Sequence, residues 1–269
     1  MFEIVIKQMN KFQIIVPTQN SYKILKKLIK SIQRQTYKNW SVIFIDGESN
    51  KSHIKFLKEL CLKDKRFIYL KQNNNYKGIF GAMNQGLEIK ARNSWILFWG
   101  SDDWANGVDT FDQLNKYLVK LSHLNLDLII CKGKYFKLNG NFLKNTAFSN
   151  FMNNKNINLS EYKKLLFCGL TPPHQATLMH SSIFSQKYKY NHNYQIAGDL
   201  DFFCSLCSKK NLSIYLLNLN IVSMSCGGIS SKNHLKRFNE VKKSYFLLFN
   251  KFYFIPFFCR YFLKIIKIK

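Results

Sequence analysis

The chain has 269 residues, enough for one large domain or two small ones, and 46% of them are hydrophobic and 16% aromatic, which excludes a disordered chain. Lys and Arg number 41 against 15 Asp and Glu, a formal net charge of +26 that calls for an anionic partner: a nucleic acid, an acidic membrane surface or a phosphorylated substrate. Seven cysteines without regular spacing exclude a disulfide framework, and the single CxxC of Cys204 and Cys207 lacks a second pair to complete a metal site.

Along the chain, MFEIVIKQMNKFQIIVP has no apolar run followed by a small-residue cleavage site, so no secretory signal is expected. Phe12–Val16 is a compact apolar run closed by Pro17 and reads as a buried strand. Ser21 is placed to cap a helix in which Ile24, Leu25, Leu28, Ile29 and Ile32 recur at helical spacing. Trp40–Ile45 is a second strand, ending at Asp46-Gly47. Then come a helix through Ile54–Leu62, a strand at Phe67–Leu70, a helix through Ala82–Ala91 and a strand at Trp95–Trp99. Strands alternating with helices at this pitch predict βαβ units and an α/β fold with a mostly parallel sheet. Further on, Leu128–Cys131 reads as a strand, Tyr135–Leu138 and Asn141–Leu143 as a hairpin turning at Asn139-Gly140, and residues 145–170 as irregular. His174–Met179 and Leu212–Leu217 read as strands and Asp199–Cys207 as a helix. Tyr245–Ile268 is the most membrane-like stretch, but Lys251, Pro256 and Arg260 interrupt it, short of the ~20 clean apolar residues of a spanning helix.

Where carboxylates are scarce their positions carry information. Asp46 and Glu48 follow the second strand, Asp102 and Asp103 the fourth, and Asp199 and Asp201 open a later helix. Ligands of open α/β sheets bind beyond the carboxyl ends of the strands, so the first two pairs are expected to face one crevice. Adjacent ionised aspartates repel, and a hard divalent cation such as Mg²⁺ or Mn²⁺ relieves that repulsion while bridging to a substrate diphosphate. The alternative reading makes Asp102 an N-cap for the segment that follows.

These stretches resemble a family 2 glycosyltransferase of the bacterial surface-polysaccharide type. Ile15-Val16-Pro17-Thr18-Gln19-Asn20 is similar to the family's first strand and turn. Ser31-Ile32 with Gln35-Thr36-Tyr37, and Ile45-Asp46-Gly47 with Ser49, resemble its S-I-x-x-Q-T-Y…I-D-G-x-S run. Gly78-Ile79-Phe80 with Ala82-Met83-Asn84-Gln85-Gly86 resembles G-I-Y-D-A-M-N-K-G, and Trp99-Gly100-Ser101-Asp102-Asp103 the strand ending in an acidic metal motif. His174-Gln175-Ala176, Ala197-Gly198-Asp199-Leu200-Asp201 and Gly227-Gly228-Ile229-Ser230 resemble the acceptor-side and closing segments.

The resemblance implies a GT-A fold over residues 12–231, after a leader at 1–11 and before a basic amphipathic segment at 232–269. It implies an inverting, metal-dependent transferase using Mn²⁺ or Mg²⁺ and a nucleotide sugar, UDP-hexose or UDP-N-acetylhexosamine. The implied acceptor is an undecaprenyl-diphosphate-linked saccharide or lipopolysaccharide core, in O-antigen or capsule synthesis. By the same resemblance Pro17, Thr18, Asn20, Asp46, Gly78, Asn84 and Asp102 form the donor side and Asp103 binds the metal. Asp199 is the general base, and Trp104, His174 and Asp201 lie on the acceptor side. His174 has a structural role as its alternative. Three departures stand out: Gly81 and Lys51 where the family carries acids, and Ser205 where it often carries arginine. They point to altered donor choice or to an inactive homologue.

Cations beside the Phe and Tyr of residues 232–269 suit an anionic leaflet, which implies a cytoplasmic enzyme held peripherally at the inner face of the cytoplasmic membrane; the alternative is a helix packed on the domain. Two other classes are weighed. A nucleic-acid binder fits the +26 charge and 38 Phe and Tyr, but no RNP motif, zinc finger or recognition helix is present. A non-catalytic nucleotide-sugar binder fits Gly81 and Lys51. A dinucleotide dehydrogenase is poorly supported because no GxGxxG follows the first strand.

Overall fold

The computed structural model describes residues 9–226 and 233–266. The leader expected at 1–11 and the closing Gly227–Ser230 motif lie wholly or largely outside them.

The first half is a run of βαβ units: β1 (Lys11–Thr18), α1 (Tyr22–Gln33), β2 (Trp40–Asp46), α2 (Lys51–Lys63), β3 (Phe67–Lys71), α3 (Gly78–Glu88) and β4 (Ser94–Phe98). The four strands pair in parallel in the order β3-β2-β1-β4. Both β2 and β4 are buried along their whole length, as expected for strands covered on both faces. On α1, Leu25, Leu28, Ile29 and Ile32 form the buried stripe, while Ile24 is exposed.

Pro17 does not end β1, which runs on to Thr18. The Ile15 carbonyl accepts from Trp99 N–H on the β4 side, and β4 pairing stops at Ile15↔Phe98. Alternation turns the Pro17 nitrogen to that same side, just past the end of β4, so its missing N–H costs the ladder nothing.

The second half is less regular. A short strand β5 (Asp103–Ala105) is followed by α4 (Thr110–Lys120), β6 (Leu128–Phe136), β7 (Phe142–Asn145), β8 (Lys155–Ile157), α5 (Leu159–Phe167), β9 (Thr177–His180), α6 (Gly198–Ser205) and β10 (Ile214–Ser225). The hairpin expected at Asn139-Gly140 is present, with Gly140 at φ +86 and β7 antiparallel to β6. Helix α5 occupies the stretch expected to be irregular, opened by a capping box between Asn158 and Glu161. His174–Ala176 forms a 3₁₀ turn rather than the start of a strand, because Ala176 N–H turns back to the Pro173 carbonyl.

The ten strands form one mixed sheet in the order β3-β2-β1-β4-β9-β6-β10-β5, with β7 on β6 and β8 on β10. Strand β9 is wedged between β4 and β6 and antiparallel to both; β10 runs parallel to β6 and carries β5 antiparallel on its far side. Two apolar layers cover the sheet. One contains Phe80, Leu128, Tyr162, Leu200 and Tyr245, the other Leu25, Trp40, Phe44, Phe111 and Leu178.

The chain closes with α7 (His234–Phe249) and α8 (Phe254–Ile266). Val241, Ser244 and Tyr245 of α7 are buried, so this segment packs on the domain. Its outer surface leaves Phe246, Leu247, Phe252, Phe254, Phe258 and Phe262 exposed. Among the described residues no helix is long and apolar enough to cross a membrane.

Candidate active site

The carboxyl ends of β1, β2 and β4 come together in a hydrogen-bonded chain. Thr18 and Asp46 are register partners at the ends of β1 and β2. The buried His53 imidazole lies between them, its Nε2 3.2 Å from Thr18 Oγ1 and 3.6 Å from Asp46 Oδ1. Burial pushes the His53 pKa down against the pull of Asp46, so the ring is neutral at pH 7. Asp46 also accepts from the Ser49 hydroxyl at 2.5 Å and from Tyr69 at 3.4 Å.

Ser21 holds the N-cap position of α1 but makes no side-chain cap. Its hydroxyl instead pairs with Thr18 Oγ1 at 2.6 Å and donates to Ser101 Oγ at 2.9 Å, linking the ends of β1 and β4. Asn20, at φ +50, accepts from Asn50 N–H through Oδ1 and donates its own N–H to Ser49 Oγ, stitching the β1 and β2 loops together. Pro17, Thr18, Asn20 and Asp46, four of the residues expected on the donor side, thus stand at one place.

The acidic pair is resolved into two environments. No helix begins after it: β5 follows directly and α4 opens only at Thr110, so Asp102 is not a helix cap. Asp103 is almost fully buried, and its Oδ2 accepts the Gly100 N–H at 2.6 Å. Burial first, then Asp102, raises its pKa well above the carboxylate range, and the Gly100 bond only partly offsets this. Asp102 is half-buried and also raised, by burial. Among the described residues no lysine, arginine or histidine pairs with either carboxylate. Two adjacent hard-oxygen donors without a protein counter-charge fit a divalent cation whose other ligands come from a diphosphate. No cluster of three or more His, Cys, Asp or Glu exists among the described residues.

Asp103, Met224 and Tyr135 stand in one row across β5, β10 and β6. Burial, then Asp103, then Asp199 push the Tyr135 hydroxyl up to about 12, so the fields of the two carboxylates meet at this ring. Trp104 alternates to the opposite side of β5, with Lys27 Nζ 3.0 Å above its ring and Phe136 at 5.4 Å.

Asp199 and Asp201 diverge. Asp199 is registered electrostatically by Tyr135, His174 and Tyr190, and its Oδ1 accepts the Leu200 N–H at 2.8 Å. Asp201 turns toward α7, where burial raises its pKa, Tyr194 and Lys243 oppose the rise, and Glu240 adds to it. His174 is buried, stacked on Phe98 at 5.3 Å and hydrogen-bonded through Nε2 to the Tyr190 hydroxyl at 2.8 Å. Burial lowers its pKa to about 4 against the pull of Asp199, so it is a neutral core ring behind the site. Asn84, expected on the donor side, spends both amide atoms on the Tyr190 backbone, at 2.7 and 3.0 Å. Gly78 opens α3, with its carbonyl held by Gln72.

The departure at Gly81 has a local cause. A Cβ there would lie 2.8 Å from the Tyr76 carbonyl oxygen, so this turn admits no side chain, acidic or otherwise. Lys51 follows the N-cap Asn50, whose side chain accepts from His53 N–H, so an acid there is not needed to start α2. His53, Ser21 and Tyr135 join the site without a signal in the sequence, since each is a common residue type within an ordinary pattern.

Comparison with known proteins gives the family and the fold. The model of glycosyl transferase family 2 matches residues 13–210. A glycosyltransferase of PGL/p-HBAD biosynthesis from Mycobacterium bovis is 27% identical, over 84% of this chain and 83% of its own. A GalNAc(5)-diNAcBac-PP-undecaprenol beta-1,3-glucosyltransferase from Campylobacter jejuni is 35% identical over 95 residues, 35% of this chain and 30% of that one. Among solved structures, S. aureus TarS 1-349 in complex with UDP-GlcNAc superposes with a TM-score of 0.65 at 17% identity, covering 89% of this chain and 67% of that one. This chain spans 40% of the longer TarS chain. The mannosyltransferase PcManGT from Pyrobaculum calidifontis, in complex with GDP-Man and Mn2+, superposes with a TM-score of 0.60 at 10% identity, covering 94% and 71%. With a βαβ half ending in Thr18 and Asp46, a strand ending in Ser101-Asp102-Asp103 and a family match over most of its length, this chain belongs to glycosyl transferase family 2 and has the GT-A fold.

Proposed function

We propose that this protein is an inverting glycosyltransferase that moves a hexose or N-acetylhexosamine from a UDP-sugar to a hydroxyl of a lipid-linked saccharide or lipopolysaccharide in surface-polysaccharide synthesis. The observation that carries the reading is the meeting of Thr18, Asp46 and Ser101-Asp102-Asp103 at the carboxyl ends of β1, β2 and β4, linked through His53 and Ser21.

Thr18 and Asp46 hold the nucleotide, prepositioned by His53, Ser49 and Ser21. Asp103, supported by Asp102, would hold a Mn²⁺ or Mg²⁺ ion, which when bound offsets the charge gathering on the leaving diphosphate. Asp199 takes the proton of the acceptor hydroxyl as that oxygen forms its bond to the anomeric carbon. The bond from the anomeric carbon to the diphosphate oxygen breaks with its electron pair, and a single displacement inverts the centre. The neutral His174 and Tyr190 form the wall behind the base.

A lipid-linked acceptor is supported by the Campylobacter relative, a GalNAc(5)-diNAcBac-PP-undecaprenol beta-1,3-glucosyltransferase, and by α8, where Phe254, Phe258 and Phe262 recur on one exposed face of a segment flanked by lysines. The occupant proposed for that face is an anionic bilayer, here the inner face of the cytoplasmic membrane.

A panel of nucleotide sugars assayed with and without Mn²⁺ tests the function. UDP, and one or two UDP-sugars, are expected to stabilise the protein only with metal, and one of them is expected to release UDP when an acceptor extract is added. No metal-dependent stabilisation and no UDP release from any donor would overturn the reading. Metal-dependent UDP binding without release would leave the chain a nucleotide-sugar binder.

A further inference from the structure

The family match ends at residue 210, but the chain beyond it reaches back to the helix that carries Asp199. Glu240, on α7, accepts hydrogen bonds from three consecutive backbone N–H groups: Gln195 to Oε1 at 2.9 Å, and Ile196 and Ala197 to Oε2 at 2.9 and 2.8 Å. These residues lead into α6, whose second residue is Asp199. Charge-assisted bonds to consecutive amides fix the direction of the chain, and a carboxylate at this end of a helix is favoured by the helix dipole.

From the other side, α8 comes against Gly169, at φ +76, so closely that a Cβ there would lie 2.7 Å from Arg260 Cα and 2.9 Å from the Pro256 carbonyl oxygen. The Arg260 guanidinium donates to Thr171 Oγ1, and among the described residues no carboxylate pairs with it.

We propose that Glu240 is a positioning residue for Asp199, and that the α7–α8 hairpin is a brace for the acceptor side of the site, with Glu240 fixing the backbone ahead of the carboxylate and Arg260 holding α8 to Thr171. The proposal rests on the reading of Asp199 as general base.

The test compares E240A and E240Q with V241A, a neighbouring α7 substitution that removes buried apolar contacts while leaving the three Glu240 hydrogen bonds in place. Turnover, donor KM and Tm are measured on the full chain with the UDP-sugar found above, in the parent and in a D199N background. E240A is expected to lower kcat by ~100-fold, the cost of a small misplacement of a reacting group, with donor KM within about 2-fold. E240Q, which keeps one oxygen acceptor, should fall between E240A and the parent. V241A should lower Tm at least as much while keeping kcat within about 3-fold, and E240A should add nothing in D199N. An E240A loss that persists in full in D199N, or that is matched by V241A, would overturn the proposal and leave the base reading standing. If E240A does not fold, E240Q carries the same comparison. Parental turnover in D199N would overturn the base reading and this proposal with it, as would the absence of any turnover in the parent.

Discussion

Asp103 and Tyr135 flank Met224 in a single register row, one on β5 and the other on β6, although 31 residues separate them in the chain. The row puts a buried carboxylate, with no counter-cation among the described residues, in line with a phenol two strands away. Metal and nucleotide should therefore bind in a coupled manner through Asp103. At saturating UDP and Mn²⁺ the parent is expected to gain about 3 kcal/mol, or roughly 5–10 °C in Tm, as it would with ligand near 100 times Kd. D103A should lose this gain and D102N should lose part of it. Thermal scans of the two variants at fixed UDP check this, and D103A behaving like the parent would remove Asp103 from the metal site.

Asp199 and Asp201 give a second test, because they lie two residues apart and face different surroundings. D199N is expected to lower kcat by ~10²–10⁴-fold, the usual contribution of a general base, without reducing Mn²⁺-dependent UDP binding. D201N, which changes the contact with Tyr194 and α7, should change Tm more than turnover. Steady-state kinetics of the pair, with isothermal titration of UDP, separate these roles.

Gly81 carries a stability prediction that runs against the resemblance to the family. Restoring an acid by G81D forces a side chain onto the Tyr76 carbonyl, and the overpacking should cost about 1–3 kcal/mol. In a chain of this size that is a Tm loss of roughly 2–10 °C. G81A should already show much of it. An unchanged Tm in both variants would show that the departure is a free choice rather than a packing requirement.

His174 makes acid stability predictable. Its pKa is about 4 in the fold against 6.5 for the free side chain, so between these values the unfolded chain binds a proton that the folded chain does not. Stability therefore falls as pH drops from about 6.5 toward 4, by up to roughly 3 kcal/mol for this residue alone. H174F is less stable at neutral pH, because the Tyr190 hydroxyl loses its partner, but its Tm should decline less between pH 7.5 and 5. Parallel Tm-versus-pH curves for parent and variant would refute the buried neutral imidazole.

The α8 surface is best tested without truncation. Removing everything after Asn233, the change suggested by the sequence, would also strip Val241 and Tyr245 from the core. Replacing Phe254, Phe258 and Phe262 together with serine spares the core and should abolish sedimentation with phosphatidylglycerol vesicles while leaving Tm within about 2 °C. Unchanged sedimentation would remove this face as the membrane contact.

The first half of the fold was legible because each strand from β1 to β4 is a short apolar run ended by turn residues, and each intervening helix carries its own stripe. Helix α4 was legible too, since Phe111, Leu114 and Leu118 recur at helical spacing, although it is absent from the expected elements. Strand β5 is three residues long and pairs only with β10, so no local pattern announces it. Among site residues, the carboxylates stood out through scarcity. The same signal extends to Glu240, the only Asp or Glu after Asp201, which the sequence reading passed over. His53 and Arg260 became visible only when distant elements closed around them.

The wedge of β9 between β4 and β6 also orders events during synthesis. The β1–β4 half of the sheet is built from neighbouring crossovers and can assemble as soon as β4 leaves the ribosome. Strand β6 gains β7 along Lys134–Phe136 once residues 142–145 emerge, but its Leu128–Ile130 edge stays bare until residues 177–180 arrive and its opposite edge until residues 214–225 do. An open edge is where nascent chains mispair, so the half of the sheet around β6 is the part expected to need protection longest during synthesis. Chains stalled just past His180 should be protease-resistant through β4 and still sensitive at β6, with protection of β6 appearing only once Ser225 has emerged.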